Sequence, residues 1–441
     1  MNPASNPQYR PLTPPERRRH FRLPAIPRRY AIFLVVSLAM GMMGFQRMGL
    51  SAVAAALMSQ YGLDAGQLGA LGSAYFYVYG AMQFPAGVII DRWGARRIMP
   101  FLFAVATIGG VIFALAPNFG WLIAGRTLVG LGVSVIFIGS LKLLAAWFPT
   151  KDLALWNGLF LALGDLAVLG TGRPLVEISR RIGWSNAFLI VAGLCGITTL
   201  LLWLVVRDEP AREWERGLRI SARPPTASRA ELMEVLRSPI VWVMGLGIFF
   251  TAGTQASMQA TWAGPYLTDV YALAPAVMGN LLTLIPFGRM TGNLVHGWIA
   301  DRVFHSRAAL VTLGLGLFAA CWIPLALWPA GFSVGALAGT LYGGFGVSYV
   351  TLLLVFPILR TRFSGRVAAT ANGIVNSGSI FGIAIMQQVT GWLVNQYAPT
   401  GGHYPVASYR LMFSVGLVLS VVGWLVTSAS AWWAGRKQAT N

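Results

Sequence analysis

Acidic residues are scarce in this sequence. Asp and Glu number 14 in 441 residues against 33 Lys and Arg, and charged residues of both signs make up only 11% of the chain. So little charge beside 56% hydrophobic residues excludes an ordinary soluble protein, in which about a quarter of residues are charged. Cysteine is nearly absent: Cys195 and Cys321 both sit in apolar runs, lack the spacing of a metal site or disulfide framework, and read as core packing. Four scattered histidines, His20, His296, His305 and His403, offer no convergent nucleophile or metal constellation. That argues against an intramembrane enzyme, and no cofactor or metal is expected. A basic stripe on a soluble domain is missing too. The basic residues interrupt apolar runs, so the net charge of +19 points to membrane topology and away from nucleic acid.

What the sequence does contain is a series of apolar runs, each near the 20 or so residues that cross a hydrocarbon layer of about 30 Å as a helix. Twelve are found, numbered here helix 1 to helix 12: 30–57, 65–90, 98–117, 119–148, 153–177, 184–206, 239–268, 274–300, 308–330, 333–359, 367–395 and 408–434. The first is too long, and lacks the small-residue cleavage site, for a removed secretory signal. With the amino terminus inside, 25 of the 33 basic residues fall on the cytosolic side and only Arg180, Arg181 and Arg410 fall outside. This bias fixes both termini in the cytosol. Residues 1–29, rich in Pro and Arg without an apolar period, read as a disordered basic arm. An amino-terminal six-helix bundle over 30–206, a polar linker over 207–238, a carboxy-terminal bundle over 239–434 and a tail over 435–441 complete the division.

The two halves echo each other. GVIIDRWGARR places Gly87, Asp91 and Arg92 after helix 2, and GWIADRVFHSR places Gly297, Asp301 and Arg302 after helix 8, each 210 residues later. GRTLVGLG from Gly125 pairs with GTLYGGFG from Gly339, and Asn157-Gly158 with Asn372-Gly373. Internal repetition of this kind builds transporters with a site near the bilayer midplane. At these residues the sequence resembles the major facilitator superfamily, from about Tyr30 to Trp433. The resemblance implies an all-α membrane fold of twelve helices in two pseudo-symmetric bundles. Gly87, Asp91, Arg92, Gly94, Arg96 and Arg97 look like the family's loop 2–3 signature, and Asp301 and Arg302 belong to the second copy, which lacks the second Gly. By resemblance they clamp the cytosolic faces of the halves, and Asp91 lies near a helix amino terminus, that of helix 11. Arg126, Gly130 and Gly132 look like the helix 4 signature, with the glycines permitting close helix approach. WFPTKD, GWSNAF and FQRMGLSAVAAAL resemble the organic-anion symporter branch, with Arg47 and Lys142 at matching positions. Gln46, and the lack of an acid in helix 4, depart from that branch's proton-coupling pattern.

An ionisable group at the bilayer centre costs at least about 2.5–3.5 kcal/mol unless it faces a partner or a wet cavity, so each is a site hypothesis. Arg47 lies roughly 4–5 Å past the middle of helix 1 and, as a bidentate fork, is expected to bind an anion. Arg126 and Lys142 lie about 160° apart around helix 4. If Lys142 faces the cavity, Arg126 faces neighbouring helices; alternatively Lys142, nearer the cytosolic end of its helix, simply snorkels. Asp165, the one carboxylate deep in the membrane, is expected either to pair with Arg126, Lys142 or Arg173 or to serve as a proton site. Arg173 reads as a pathway or headgroup residue, and Arg289 as either paired or cavity-lining. Gln255, Gln259 and Trp262 on helix 7, and Asn372, Asn376 and Gln387 on helix 11, fall on common faces expected to line the cavity. Tyr342, Phe345 and Tyr349 form an aromatic stripe on helix 10, and Tyr342 joins the binding candidates.

Taken together, the residues predict a secondary transporter of a small organic anion, working by rocking of two bundles and coupled to protons. It is expected as a monomer, multi-pass in a bacterial cytoplasmic (inner) membrane, with lipid and substrate as partners. Efflux of drugs or metal-siderophore conjugates is the alternative; helix 5, GLFLALGDLAVLGTGRPL, lacks the Gly-Pro motif of drug antiporters. A non-transporting sensor is the other, though neither arm nor linker is long enough for a sizeable signalling domain.

Overall fold

The computed structural model describes residues 28–436 except 150, 209–228, 305, 361 and 364. Most of the expected arm, the middle of the linker, the end of the tail and the side chain of Asp301 therefore lie outside the described residues. The described chain is almost wholly helical, and helices fall on every one of the twelve apolar runs. Among them, eight are long and apolar enough to cross a membrane by length and composition, or nine when Leu155–Thr171 and Arg173–Ile182, bent by 41°, count as one span. Ala65–Trp93, Pro275–Ile299 and Gly365–Val394 are long but not among those eight. These are helices 2, 8 and 11, which pack across the two halves. Helix 2 lies on helix 11 and helix 8 on helix 5, so their polar residues meet protein where the other helices meet lipid. Elsewhere large side chains such as Phe101, Trp203 and Leu317 are turned outward, as a hydrocarbon solvent requires.

Local chemistry fixes the helix ends. Asp64 accepts from Gln67 N at 2.7 Å while the Gln67 side chain accepts from Asp64 N at 3.0 Å, a reciprocal cap that starts helix 2. Gly94, at φ +79°, ends helix 2 and lets helix 3, Ala95–Ala114, begin at once; only glycine takes that conformation without strain. The Gly94 of the loop signature is thus first a hinge between two helices.

Several helices are broken inside the expected spans. Helix 1 consists of Arg28–Met48 and Leu50–Tyr61. Helix 7 consists of Pro239–Ser257, a π-helical turn Met258–Trp262 and Ala263–Asp269. Helix 10 passes from Val334–Gly339 through a π-helical stretch Thr340–Val347 and a 3-10 stretch Ser348–Leu354 to Val355–Arg360.

The halves meet on the face opposite the arginine-rich loops. There Ala65 N donates to the Tyr404 hydroxyl at 2.8 Å, Gly264 N to Ser51 Oγ at 2.9 Å and Arg173 N to Thr283 Oγ1 at 3.1 Å. Gly69 of helix 2 and Gly391 of helix 11 pack backbone to backbone: a β-carbon on Gly69 would lie 2.6 Å from Gln387 O and 3.0 Å from Gly391 Cα. Nearer the arginine-rich face, β-carbons on Gly87, Gly158 and Gly373 would meet no atom within 4 Å. Side chains at these three positions would therefore have room on that face.

Candidate functional site

The site is built around the break in helix 1. Arg126 of helix 4 is buried, and its Nη1 donates to the Gln46 carbonyl at 2.7 Å, at the last turn before that break. Its guanidinium lies over the Tyr75 ring at 5.1 Å and the Phe113 ring at 6.0 Å, cation–π contacts that offset part of the cost of burial. Gly130 and Gly132 stand against the backbones of Tyr75 in helix 2 and of Leu102 and Ala106 in helix 3. The helix 4 signature thus packs as expected, with Arg126 turned into the bundle.

Arg47 follows Gln46 directly and has the opposite environment. Among the described residues no carboxylate pairs with it, and its Nε is enclosed without an acceptor. Its two terminal nitrogens make no hydrogen bond and are not enclosed, so they open to accessible space. Around it stand the phenols of Tyr75 and Tyr79 from helix 2 and Tyr349 from helix 10, all within electrostatic reach.

Asp165 does not pair with Arg126, Lys142 or Arg173. Its Oδ1 accepts from Arg289 Nη2 at 3.3 Å and its Oδ2 from Asn293 Nδ2 at 3.1 Å. Both partners come from helix 8, so this ion pair joins the halves at mid-depth, with side chains only 18% and 17% exposed. Arg289 and Asn293 are four residues apart and share a helix face. Asn293 was the signal that the sequence offered and that sequence reasoning passed over. Tyr349 lies within electrostatic reach of Arg289 as well as of Arg47.

Lys142 is not beside Arg47. Its Nζ donates to Asp91 Oδ1 at 2.7 Å and to Ile90 O at 3.3 Å, at the arginine-rich end of helix 2, with the two side chains 44% and 77% exposed. Lys142 takes the snorkelling alternative, and the expectation for Asp91 changes. Lys142 follows its long stem to the membrane edge, and Asp91 pairs within its own half instead of capping helix 11. At this face the amino terminus of helix 3 is met instead by Asp208, which accepts from Arg96 N at 3.0 Å in its first turn. Arg92, Arg96, Arg97 and Arg302 are exposed, with Arg92 over the neighbouring Trp93 ring at 5.5 Å.

The two expected stripes on helices 7 and 10 are broken by register. A π-helical turn holds more than 3.6 residues, so residues spaced for one α-helical face separate across it. Gln255 donates to Gln259 at 2.8 Å, both amides buried, while Trp262 is fully enclosed and donates to Thr390 Oγ1 at 2.8 Å. Trp262 is therefore core and not cavity wall. On helix 10, Phe345 packs on Phe318 and Trp322, Tyr342 rests on Phe287 with ring centroids 5.8 Å apart, and Tyr349 lies within electrostatic reach of Arg47 and Arg289. On helix 11, Asn372 and Asn376 are partly exposed, and Asn372 Oδ1 has no donor. Gln387 is buried, accepting from Thr261 at 3.1 Å.

An all-helical, multi-pass chain whose halves meet on one face and hold charges between them has the form of a membrane transporter. The family model of the Major Facilitator Superfamily matches residues 36–383, and the chain belongs to that family. It is similar to the "Probable sulfoacetate transporter SauU" of Cupriavidus necator, 24% identical with 90% of this chain and 93% of that one covered. It is likewise similar to the D-galactonate transporter of Escherichia coli, 23% identical over 89% and 96%. A bacterial homolog of the human lysosomal transporter Spinster, solved in an inward-facing and occupied conformation, shares the fold with a TM-score of 0.73 at 19% identity, over 93% of this chain and 98% of that one. Transport of a small molecule, and not enzymatic catalysis, is what the family and these relatives have in common.

Proposed function

We propose that this protein carries a small organic anion across the membrane by alternating access, the two halves rocking about the space between Arg47 and Arg289. The observation that carries the reading is Arg47, a guanidinium inside the membrane region with no carboxylate partner among the described residues. Such a charge is tolerated only beside a partner or a wet cavity, and its open terminal nitrogens match a carboxylate, sulfonate or phosphate fork. The two relatives described above are named for organic anions, which supports the same reading. Asn372 and Asn376 are proposed as neutral wall.

In this reading the halves are 30–206 and 239–434, and the arginine-rich loops and both termini lie in the cytosol, by the positive-inside bias of the sequence. With the halves hydrogen-bonded to each other on the opposite face, the arrangement is then read as inward-open. Asp91, held by Lys142 in one half, is a clamp in its released position. Asp165 is proposed as the proton-linked group, because its charge is tied to a cation of the opposite half and every rocking movement must work on that bond. The protein is placed in the cytoplasmic membrane as a monomer.

The test is uptake of labelled organic anions by proteoliposomes containing the purified protein, comparing wild type with Arg47→Ala. Losing a charge-assisted fork of about 1.5–3 kcal/mol corresponds to a fall of roughly 10- to 100-fold. Uptake at the wild-type rate would remove Arg47 from the site.

A further inference from the structure

Resting on the reading of the protein as an alternating-access transporter, we infer that His403 is an acid-sensing catch on the outer face: protonated, it steadies the turn that fastens Tyr404 across the halves and holds that face shut. Asp269 ends helix 7 with its side chain only 8% exposed. It collects three partners from the segment before helix 12 and from that helix itself, Val406–Arg436. Its Oδ2 accepts from the Tyr409 hydroxyl at 2.6 Å and from Tyr404 N at 3.2 Å, and its Oδ1 lies 2.8 Å from His403 Nδ1. The turn between them is tight. Thr400 and His403 exchange backbone hydrogen bonds at 2.9 and 3.1 Å around Gly401 and Gly402, at φ +61° and +83°, a conformation that glycine takes without strain.

That turn presents Tyr404 to the opposite half. Its hydroxyl accepts from Ala65 N at 2.8 Å and donates to Asn395 Oδ1 at 3.2 Å. Ala65 is the first residue of helix 2, and the opening amides of a helix have no partner within it. Tyr404, 3% exposed, also shares an apolar cluster with Ala65 and Leu68. Parting of the halves at this face removes both contacts. His403, by contrast, is 57% exposed beside a nearly buried carboxylate, so water outside reaches it directly.

The titratable groups around the catch are Asp269 and Tyr266 of helix 7, Tyr404, Tyr409 of helix 12 and Asp64 at the start of helix 2. No Lys or Arg among the described residues pairs with Asp269. Of these side-chain types histidine alone ordinarily changes charge between about pH 5 and 8. A neutral imidazole keeps a hydrogen bond to Asp269, and an imidazolium adds an ion pair. Carboxylate, turn and Tyr404 all belong to one half, so the pair acts on closure through order. With the face shut, helix 2 and Asp269 hold the turn from both ends; with the face open, Asp269 holds it alone. Charging His403 then pre-orders the turn in the geometry that closure needs and lowers the entropy lost on closing. Acid outside favours the shut face, and a rise in pH releases it. A half-exposed pair of this kind shifts such a balance by at most about fivefold.

The experiment reads the outer face directly, in the full chain reconstituted in nanodiscs. Spin labels are carried by Ser59→Cys and Ala398→Cys, both exposed positions, with Cys195 and Cys321 replaced by alanine, and pulsed EPR gives the ratio of long to short distances. In this parent protein the ratio is expected to rise about two- to fivefold from about pH 5.5 to about pH 7.5. His403→Gln, which keeps a hydrogen bond and carries no charge, is expected to remove that dependence. Tyr404→Phe, which keeps the ring and loses the bond to Ala65 N, is expected to raise the ratio at both pH values. Gly69→Leu is the control, since a side chain there collides with Gln387 O and Gly391 and wedges the face open whatever the catch does. Thermal unfolding checks that each variant is folded. A ratio that does not change with pH, a change that persists in His403→Gln, or a Tyr404→Phe protein no more open than its parent overturns the catch and leaves alternating access standing. A folded Gly69→Leu protein that keeps the short distance at every pH overturns alternating access itself.

Discussion

Arg126 binds helix 1 at the carbonyl of the residue before Arg47, and the surroundings of the two arginines differ in nearly every respect. Arg126 is enclosed, bonded to the Gln46 carbonyl and covered by Tyr75 and Phe113. Arg47, one residue beyond that carbonyl, has no hydrogen-bond or ion-pair partner among the described residues and has open terminal nitrogens. The difference separates two uses of a buried cation. Arg126 is spent inside the protein, holding the helix 1 backbone at the break before Gly49. Arg47 is left for something that the protein does not supply. One arginine positions the other: fixing Gln46 fixes the base of the Arg47 side chain.

The comparison breaks most visibly at Arg126. Arg126→Ala removes a charge-assisted hydrogen bond, leaves the Gln46 carbonyl without its donor and opens a cavity between helices 1, 2 and 4. A loss of about 3–5 kcal/mol is expected, read as a large fall in melting temperature in detergent, with uptake lost through instability. Arg126→Lys is expected to recover only part of it, since an ammonium cannot reproduce the planar fork. If Arg126→Ala melted like wild type and changed only which anions are carried, the assignment of the two arginines would have to be reversed.

Asp165→Asn comes next. It leaves Arg289 charged and unpaired between the halves, at a cost of roughly 2–3 kcal/mol. Adding Arg289→Gln is expected to restore most of the melting temperature, because a neutral pair has no uncompensated charge. If the double variant melted no higher than the single one, the ion pair would carry no coupling. Arg47→Ala, by contrast, is expected to melt within about 0.5 kcal/mol of wild type while uptake falls. Stability and transport should thus part company at two residues that are close in space.

The sequence carried most of the fold, because helix positions follow from apolar length and the 210-residue echo at Asp91 and Asp301 marks the internal symmetry. It carried less of the site. Arg47 was legible because an unpaired charge in the membrane is costly wherever it sits. The partner of Asp165 was not, since Arg289 lies 124 residues away and meets it only through the docking of two halves, which no local pattern encodes. Trp262 was misplaced for a different reason. Faces drawn at 100° per residue do not survive the π-helical turns in helices 7 and 10.

Lys142 gives the smallest effect and the sharpest test of where the site ends. Its pair with Asp91 is exposed on both sides, and such pairs contribute at most about 1 kcal/mol, so Lys142→Gln should shift the melting temperature little. Since Lys142 lies at the arginine-rich mouth and not beside Arg47, the affinity for a transported anion should stay within about twofold of wild type, measured by competition in proteoliposomes. Asp91 would be freed, and a freed carboxylate at the mouth can engage the opposite half. The expected change is therefore in the rate of exchange, with affinity preserved. A fall in affinity comparable to that of Arg47→Ala would instead extend the anion site along helix 4 to the membrane edge, and the contrast between a partnerless Arg47 and its paired neighbours would no longer mark the site.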